Sequence, residues 1–380
     1  MTVRPPFRWS GYLPALDGVR SFAVLAVVVF HARQQWFPGG YIGVDIFFVL
    51  SGFLITTILL EEREATGRVS VKSFYARRAL RLLPALLLVC AVVTVAFLLV
   101  PGVTRRSETL LGVLTAVTYT SSPVLAGGAS NLGWMIPTWS LSVEEYFYLI
   151  WPFILIAATS PRIRRWRALI LALTATAIVY RFLAATVFGW SLTRVAYGAD
   201  TRAEQLLIGC LLAVMLRVVR GKVPTWVVVL TASLLTLMIV LPTDTEAFYL
   251  HGGSTVVAVA AAVMIGGLAQ QPSGLPSRLL SIKPLVWIGQ RSYGIYLWNL
   301  PIIALIASTS FSDNQQLAIK IGLTFLIPAL SYLWIERPLL RLKRRSRRAA
   351  KVTTDSTGEG RRDTNLAPAG QHRERPASSV

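Results

Sequence analysis

The sequence is poor in charged residues and in the side chains that carry redox or metal chemistry. Only 15% of its 380 residues are Asp, Glu, Lys or Arg, against about 25% in a soluble domain, whereas 54% are hydrophobic. Cys90 and Cys210 are the only cysteines, and each lies in an apolar run. A disulfide framework, a cysteine metal site and thiol redox chemistry are therefore excluded. With a mean hydropathy of +0.57, the composition predicts a membrane protein with several spans.

Acidic residues are also scarce, since 18 Asp and Glu stand against 38 Lys and Arg and give a formal net charge of +20. From residue 337 to the C-terminus the chain carries 12 basic and 4 acidic residues. No aromatic platform or base-reading motif accompanies this charge, so we do not expect nucleic-acid binding. We expect residues 1–338 to form one transmembrane domain and residues 339–380 to form a basic, disordered cytoplasmic tail on anionic lipid.

Ten apolar stretches are long enough to cross the ~30 Å hydrocarbon core of a bilayer. Placing the basic loops and both termini in the cytoplasm satisfies the positive-inside rule. The sequence therefore predicts an all-α, polytopic transmembrane helix bundle, with a shorter segment at 110–120 that lies at the external surface or re-enters the membrane. The expected spans are 13–31, 40–60, 82–100, 142–158, 168–188, 203–219, 224–241, 254–270, 287–308 and 317–335.

The first predicted span contains three ionisable residues. Asp17, Arg20 and His31 fall within about 60° of one another around a helix, so they form one stripe. Asp17 and Arg20 suit an ion pair, whereas His31 lies about 16 Å further along, near the external end. An ionisable group in a span costs at least about 2.5–3.5 kcal/mol and is expected at a buried, functional position. A capping Asp, a snorkelling Arg and an interfacial His are the structural alternative.

Two adjacent carboxylates open the fourth predicted span. Glu144 and Glu145 would enter from the outside at the depth of His31, and Asp45, at the external start of the second span, lies at the same level. An imidazole that a carboxylate orients is a standard general base for a hydroxyl group. The alternative is a carboxylate that only interacts with the helix N-terminus. The expected catalytic residues are His31, Glu144, Glu145 and Asp45.

Three arginines lie at the cytoplasmic entrance to the third predicted span. Arg77 and Arg81 are i,i+4 neighbours and Arg78 and Arg81 are i,i+3 neighbours, so their guanidinium groups share one helix edge. Such an edge matches the bidentate geometry of a phosphate or diphosphate. Anchoring by the positive-inside rule is the alternative explanation.

Polar and aromatic side chains also occur where a bilayer would disfavour them, which indicates a cavity. The ninth predicted span carries two Tyr, a Trp and an Asn in the run GQRSYGIYLWNLPI, and an interfacial aromatic belt is the alternative. Asp200 and Arg202 lie on the external side before the sixth span, where they would cap a helix or contact an acceptor. The expected substrate or cavity residues are Asp17, Trp139, Ser142, Asp200, Arg202, Tyr293, Tyr296, Trp298 and Asn299.

Six segments occur in the order typical of one protein family. From about residue 13 to residue 338, the chain resembles the acyltransferase-3 family of bacterial integral-membrane acyltransferases. The segments that carry the resemblance are, in chain order, LDGVRSFAVLAVVVFHA, GVDIFFVLSGFLITTILL, FYARRALRLLPAL, WSLSVEEYFYLIWP, DTRAEQLLIGCLLA and SYGIYLWNLP.

The resemblance implies transfer of an acyl group, usually acetyl, from cytoplasmic acyl-CoA to a carbohydrate hydroxyl at the bacterial plasma membrane. Envelope polysaccharide, glycolipid and glycosylated natural products are the implied acceptors. We expect Arg20 and the arginines of the third span to hold the CoA phosphates, with acetyl-CoA as the donor and no metal. The essential residues of the family correspond to His31, Arg20, Arg78, Arg81, Glu144 and Glu145.

Two positions depart from the family pattern. Asn299 stands where many relatives have a His, and Tyr146 stands where many have a Gln. Proton transfer would therefore rest on His31. The residues alone leave two other classes open, a proton-coupled transporter or flippase and a structural or receptor protein, since intramembrane charges also mark proton pathways.

Overall fold

The computed structural model describes residues 11–99, 106–129, 131–160, 163, 165–241, 248, 251–307 and 309–338. All regular structure in these ranges is helical, which confirms the predicted all-α fold. The predicted tail at 339–380 lies outside the described residues.

The described part of the chain contains fifteen α-helices, and a π-helical turn at Tyr332–Glu336 extends the last of them. They are α1 Pro14–Ala32, α2 Gly43–Thr66, α3 Val71–Leu99, α4 Arg106–Val117, α5 Ser121–Ala126, α6 Thr138–Ala158, α7 Trp166–Thr186, α8 Leu192–Tyr197, α9 Ala199–Met215, α10 Thr225–Val240, α11 Gly253–Gln270, α12 Leu275–Leu280, α13 Lys283–Gln290, α14 Ser292–Ala307 and α15 Asp313–Ser331.

Seven of these helices, α1, α2, α3, α6, α7, α11 and α15, are long and apolar enough to cross a membrane. Each of the ten predicted spans contains a helix, but α10 and α14 have only 16 residues each and α9 carries three charged residues in its first six positions. The number of crossings and the side of each terminus therefore stay predictions. Helix α4, with 12 residues, reaches only about 18 Å and is too short to cross.

Two helices differ in extent from the predicted spans. The third helix begins at Val71, eleven residues before the predicted span at 82–100, because the run of Ala, Arg and Leu before the apolar stretch favours a helix and continues it without a break. The segment predicted as a span at 287–308 divides at Arg291 into α13 and α14. The arginine segment is thus part of a helix of 29 residues.

Apolar side chains cover the outside of the bundle. Leu87 of α3, Phe153 of α6, Leu171 of α7 and Leu230 of α10 are all exposed. Molecules with such an apolar surface would aggregate in water, whereas lipid tails solvate the surface. Helix α2 is the most deeply buried of the seven long helices.

Helices α2 and α9 approach closely because each has a glycine at their contact. A methyl group on Gly52 would overlap the carbonyl oxygen of Leu206, and one on Gly209 would overlap that of Val49. Small residues at such crossings let helix backbones meet in a membrane. The contact brings the charged first turns of α9 beside the start of α2.

A proline in α6 helps to tie this helix to α3. Pro152 has no N–H group, so the carbonyl oxygen of Tyr148 loses its usual donor within the helix. The Tyr75 hydroxyl lies 3.3 Å from this oxygen and donates at 2.8 Å to the carbonyl oxygen of Leu149. The arginine segment of α3 is thereby held against the glutamate segment of α6.

We expect Gly52→Leu to force α2 away from α9 and to lower the free energy of unfolding by about 1–3 kcal/mol, the usual cost of overpacking. Gly322→Leu is the matched control, because Gly322 lies in α15 with open space around it. Thermal unfolding in detergent, followed by circular dichroism, should give a lower Tm for Gly52→Leu only. Equal Tm values for the two variants would contradict a tight α2–α9 contact.

Candidate active site

A cavity of about 140 Å³ lies between α1, α2, α3, α6 and α14. Three arginines and one glutamate are the charged residues among those that line it, and Ser51 and Ser140 add hydroxyl groups. Apolar side chains of α2 form much of the remaining wall. The charged lining residues are Arg20, Arg78, Arg81 and Glu144.

The positive charge of this arginine cavity exceeds its negative charge. Arg20 lies 3.7 Å from Asp17, the predicted partner. The guanidinium carbon of Arg78 lies 3.2 Å from the ring centre of Tyr148. In the ranges that the structure describes, no carboxylate lies within ion-pair distance of Arg78 or Arg81. The cavity can therefore hold an anionic group.

Arg77 does not share this cavity, although the sequence predicts that it does. Its guanidinium group pairs with Glu62 of α2 at 3.2 Å and donates to the Ser73 hydroxyl at 2.6 Å. The carboxylate of Glu62 holds this guanidinium beside α2, away from the cavity lining. Of the three arginines predicted to form a phosphate-binding edge, only Arg78 and Arg81 line the cavity, together with Arg20.

Glu144 is held by two hydroxyl groups. Ser51 donates to its Oε1 at 2.7 Å and Tyr148 donates to its Oε2 at 2.8 Å. A carboxylate that accepts at both oxygens is fixed in place and acts as an acceptor. Glu145 does not line the cavity but lies within electrostatic reach of Arg78.

His31 contacts Asn299 rather than a glutamate. Its Nδ1 lies 2.8 Å from Oδ1 of Asn299. An amide oxygen can only accept, so with this orientation Nδ1 carries the proton and Nε2 presents its lone pair. The arrangement leaves His31 competent as a base at Nε2.

The expected pairing of His31 with Glu144 or Glu145 is wrong. His31 is the penultimate residue of α1, whereas α6 begins at Thr138 and places Glu144 about 9 Å further in. No carboxylate among the described residues lies within ion-pair distance of the His31 ring. The bundle thus has an arginine end, where the cavity lies, and a histidine end.

Tyr296 lies between the cavity and His31. Its hydroxyl lies 2.8 Å from the hydroxyl of Ser140 and donates to the carbonyl oxygen of Pro137 at 2.9 Å. It lines the cavity, and Asn299 follows it by three residues, about 4.5 Å along α14. Tyr293, one turn earlier, also lines the cavity and donates to the carbonyl oxygen of Leu82 at 3.0 Å.

Asp45 does not lie free beside His31 as an acid. It forms an ion pair with Arg202 at 2.7 Å, and both side chains are buried. The Arg202 guanidinium also lies over the rings of Phe48 and Trp139, at 5.6 and 5.4 Å from their centres. Since Phe48 lines the cavity, this cluster supports its wall.

Three other predicted cavity residues lie elsewhere. Asp200 accepts two hydrogen bonds from Arg194, at 2.8 and 2.6 Å, and this contact raises the pKa of Arg194 in the short helix α8. The Ser142 hydroxyl donates to the carbonyl oxygen of Thr138, one turn earlier, so its side chain is satisfied within α6. Trp298 packs in an apolar cluster between α3, α6 and α14.

The sequence interpretation missed a second buried ion pair. Arg181 of α7 lies 3.3 Å from Glu204 of α9, and the hydroxyls of Ser254 and Thr255 donate to the same carboxylate. Both charged side chains are buried. The position of Arg181 in the middle of a predicted span was the available signal. No group of three or more His, Cys, Asp or Glu in the described ranges suits a metal ion.

Comparison with known proteins supports the family resemblance. A family model described as an acyltransferase domain matches residues 13–335. The peptidoglycan O-acetyltransferase OatA of Listeria monocytogenes is 34% identical over 356 residues, and the O-acetyltransferase OatA of Staphylococcus aureus is 33% identical over 351 residues. A Bacillus subtilis protein is 35% identical over 356 residues.

Each of these alignments covers 86% of the chain but only 55%, 56% or 57% of the relative. The chain therefore spans little more than half the length of the curated relatives it matches. No solved structure matches it. Because one family model covers the helical bundle from α1 to the end of α15, the chain belongs to the acyltransferase-3 family.

Proposed function

We propose that this chain transfers an acetyl group from acyl-CoA to a hydroxyl group of a cell-envelope carbohydrate in the bacterial plasma membrane. The convergence of Arg20, Arg78 and Arg81 on one cavity is the observation that carries the proposal. The Listeria relative is named for O-acetylation of peptidoglycan, which suggests the class of acceptor.

The cavity charges suit a donor that carries phosphate groups. Guanidinium groups bind phosphate oxygens in a bidentate manner, and the interaction is stronger in a cavity of low dielectric constant than in water. The positive-inside pattern predicts that the arginine end faces the cytoplasm, where acyl-CoA would be available. The CoA phosphates would then contact Arg78 and Arg81, with the thioester directed past Tyr296.

His31 would supply the base for the reaction. Its Nε2 takes the proton of the acceptor hydroxyl while the oxygen forms a bond to the thioester carbonyl carbon. The carbon–sulfur bond then breaks, and the imidazolium returns the proton to the leaving thiolate. Asn299 holds the ring in the required tautomer through Nδ1.

A transporter is the second class that the intramembrane charges leave open, and the family match gives it no support. Transport would move substrate without acetyl-CoA. Acetyl transfer would consume one acetyl-CoA for each acetyl group that appears on the acceptor, and mass spectrometry of the acceptor measures those acetyl groups.

Replacing an arginine of the cavity should weaken donor binding. We expect Arg81→Ala or Arg78→Ala to raise KM for acetyl-CoA about 10- to 100-fold, the range for a lost charged hydrogen bond, with residual kcat. Arg77→Ala is the matched control, because Arg77 pairs with Glu62 outside the cavity. Steady-state kinetics with purified protein in nanodiscs would test this. The assignment fails if Arg77→Ala raises KM as much as Arg81→Ala does.

Changes at the histidine end should affect turnover instead. We expect His31→Ala to lower kcat about 10²- to 10⁴-fold, the usual contribution of a general base, and Asn299→Leu to lower it about tenfold through loss of ring orientation. Binding of acetyl-CoA, measured by calorimetry, should remain close to wild type in both. Trp298→Phe, next to Asn299 but in the apolar cluster, is the control. Normal turnover in His31→Ala would refute the role of His31.

A further inference from the structure

A second, polar hollow opens at the histidine end of the bundle. Its volume is about 690 Å³, and it is distinct from the arginine cavity in every lining residue. Of its lining residues, only Ala32 belongs to one of the family segments in the sequence. Charged and amide side chains form most of that wall: Arg33, Gln34, Gln35, Asp313, Gln316 and Lys320.

The wall of the hollow begins immediately after His31. Ala32 and Arg33 line one side, and α15 lines the other. Residues 313, 316 and 320 are spaced i, i+3 and i+7, so they share one helix face that runs about 10 Å along the axis. Helix α15 packs against α14, which carries Asn299. The hollow therefore adjoins the His31–Asn299 pair on the side away from the arginine cavity.

The side chains of the hollow can recognise hydroxyl groups. Gln34 and Gln35 are exposed, and each amide offers both donors and an acceptor, as a sugar hydroxyl does. Gln316 is held in place, since it donates to the carbonyl oxygens of Thr309 and Phe311 and its own oxygen accepts from Lys320 at 3.2 Å. The hollow is thus lined both by Gln316, which hydrogen bonds hold in place, and by the exposed, adaptable amides of Gln34 and Gln35.

An exposed aromatic ring lies at the edge of the hollow. Trp36 is 51% exposed, and the guanidinium carbon of Arg33 lies 5.5 Å from its ring centre. A flat apolar ring next to amide groups can contact the apolar face of a sugar while the amides bind its hydroxyls. The charges are mixed, with Arg33 and Lys320 against Asp313, so the hollow does not require a strongly anionic ligand.

We infer that the polar hollow binds the carbohydrate acceptor and presents its hydroxyl to Nε2 of His31. The ligand class is a saccharide with free hydroxyl groups. The inference rests on the proposed acetyl transfer and adds the acceptor site to it. Donor and acceptor would then reach His31 from opposite ends of the bundle.

Binding of a soluble tetrasaccharide of N-acetylglucosamine to the full chain in nanodiscs tests the inference without activity. Calorimetry should show binding to wild type and at least a tenfold weaker affinity for Lys320→Met and for Gln35→Trp, whose indole would occupy part of the hollow. Lys283→Met is the matched control, because Lys283 is exposed on α13 outside the hollow. Circular dichroism would establish that each variant is folded.

Kinetics with the same tetrasaccharide and acetyl-CoA complete the test. The two hollow variants should raise KM for the saccharide at least tenfold and leave KM for acetyl-CoA within twofold. Absence of saccharide binding to wild type, or equal binding by all variants, would overturn the inference even if acetyl transfer occurs. If the hollow variants lose saccharide binding but the wild-type protein does not use acetyl-CoA, the hollow is still a saccharide site and the proposed donor is rejected.

Discussion

A charged side chain inside a membrane-spanning bundle needs a partner, because the bilayer offers neither water nor counterions. The described structure meets this requirement for three arginines of the bundle, which pair with carboxylates: Arg20 with Asp17, Arg202 with Asp45, and Arg181 with Glu204. Arg78 and Arg81 do not receive a carboxylate in the described ranges, although they line the same cavity as Arg20. Burying two guanidinium groups without a carboxylate costs free energy, and an anionic ligand in the cavity would offset that cost.

The paired charges also fix the helices that form the cavity. The Asp45–Arg202 pair joins α2 to α9 at their tight glycine contact and places Arg202 against the ring of Phe48 in the cavity wall. The hydroxyl of Tyr75 fixes α3 to α6 at the carbonyl that Pro152 leaves free. These contacts hold the arginine edge in one position, which is the condition for bidentate phosphate binding.

The sequence predicts the helical fold, the position of Arg78 and the separation of the arginines from His31, because each follows from hydropathy and residue spacing along a single helix. It does not predict which neighbouring helix provides the side chain that pairs with a given charged residue. Arg77 and Arg78 each lie about one helical turn from Arg81, yet Arg77 pairs with Glu62 of α2 instead of lining the cavity. The depth of Glu144 depends on where α6 begins, and the start at Thr138 moves this residue away from His31. The polar hollow joins residues almost three hundred positions apart, and no local pattern marks it.

The hydrogen-bond partner of the His31 imidazole is an amide, Asn299, rather than a carboxylate. A carboxylate partner would orient the imidazole and also bring a negative charge that must itself be solvated or paired. The amide of Asn299 orients the ring through one hydrogen bond and adds no charge to the histidine end. In the proposed reaction, the ring would pass a proton between the acceptor oxygen and the leaving thiolate without a second titrating group. The excess positive charge of the arginine cavity therefore lies apart from the His31–Asn299 pair, which contains no carboxylate.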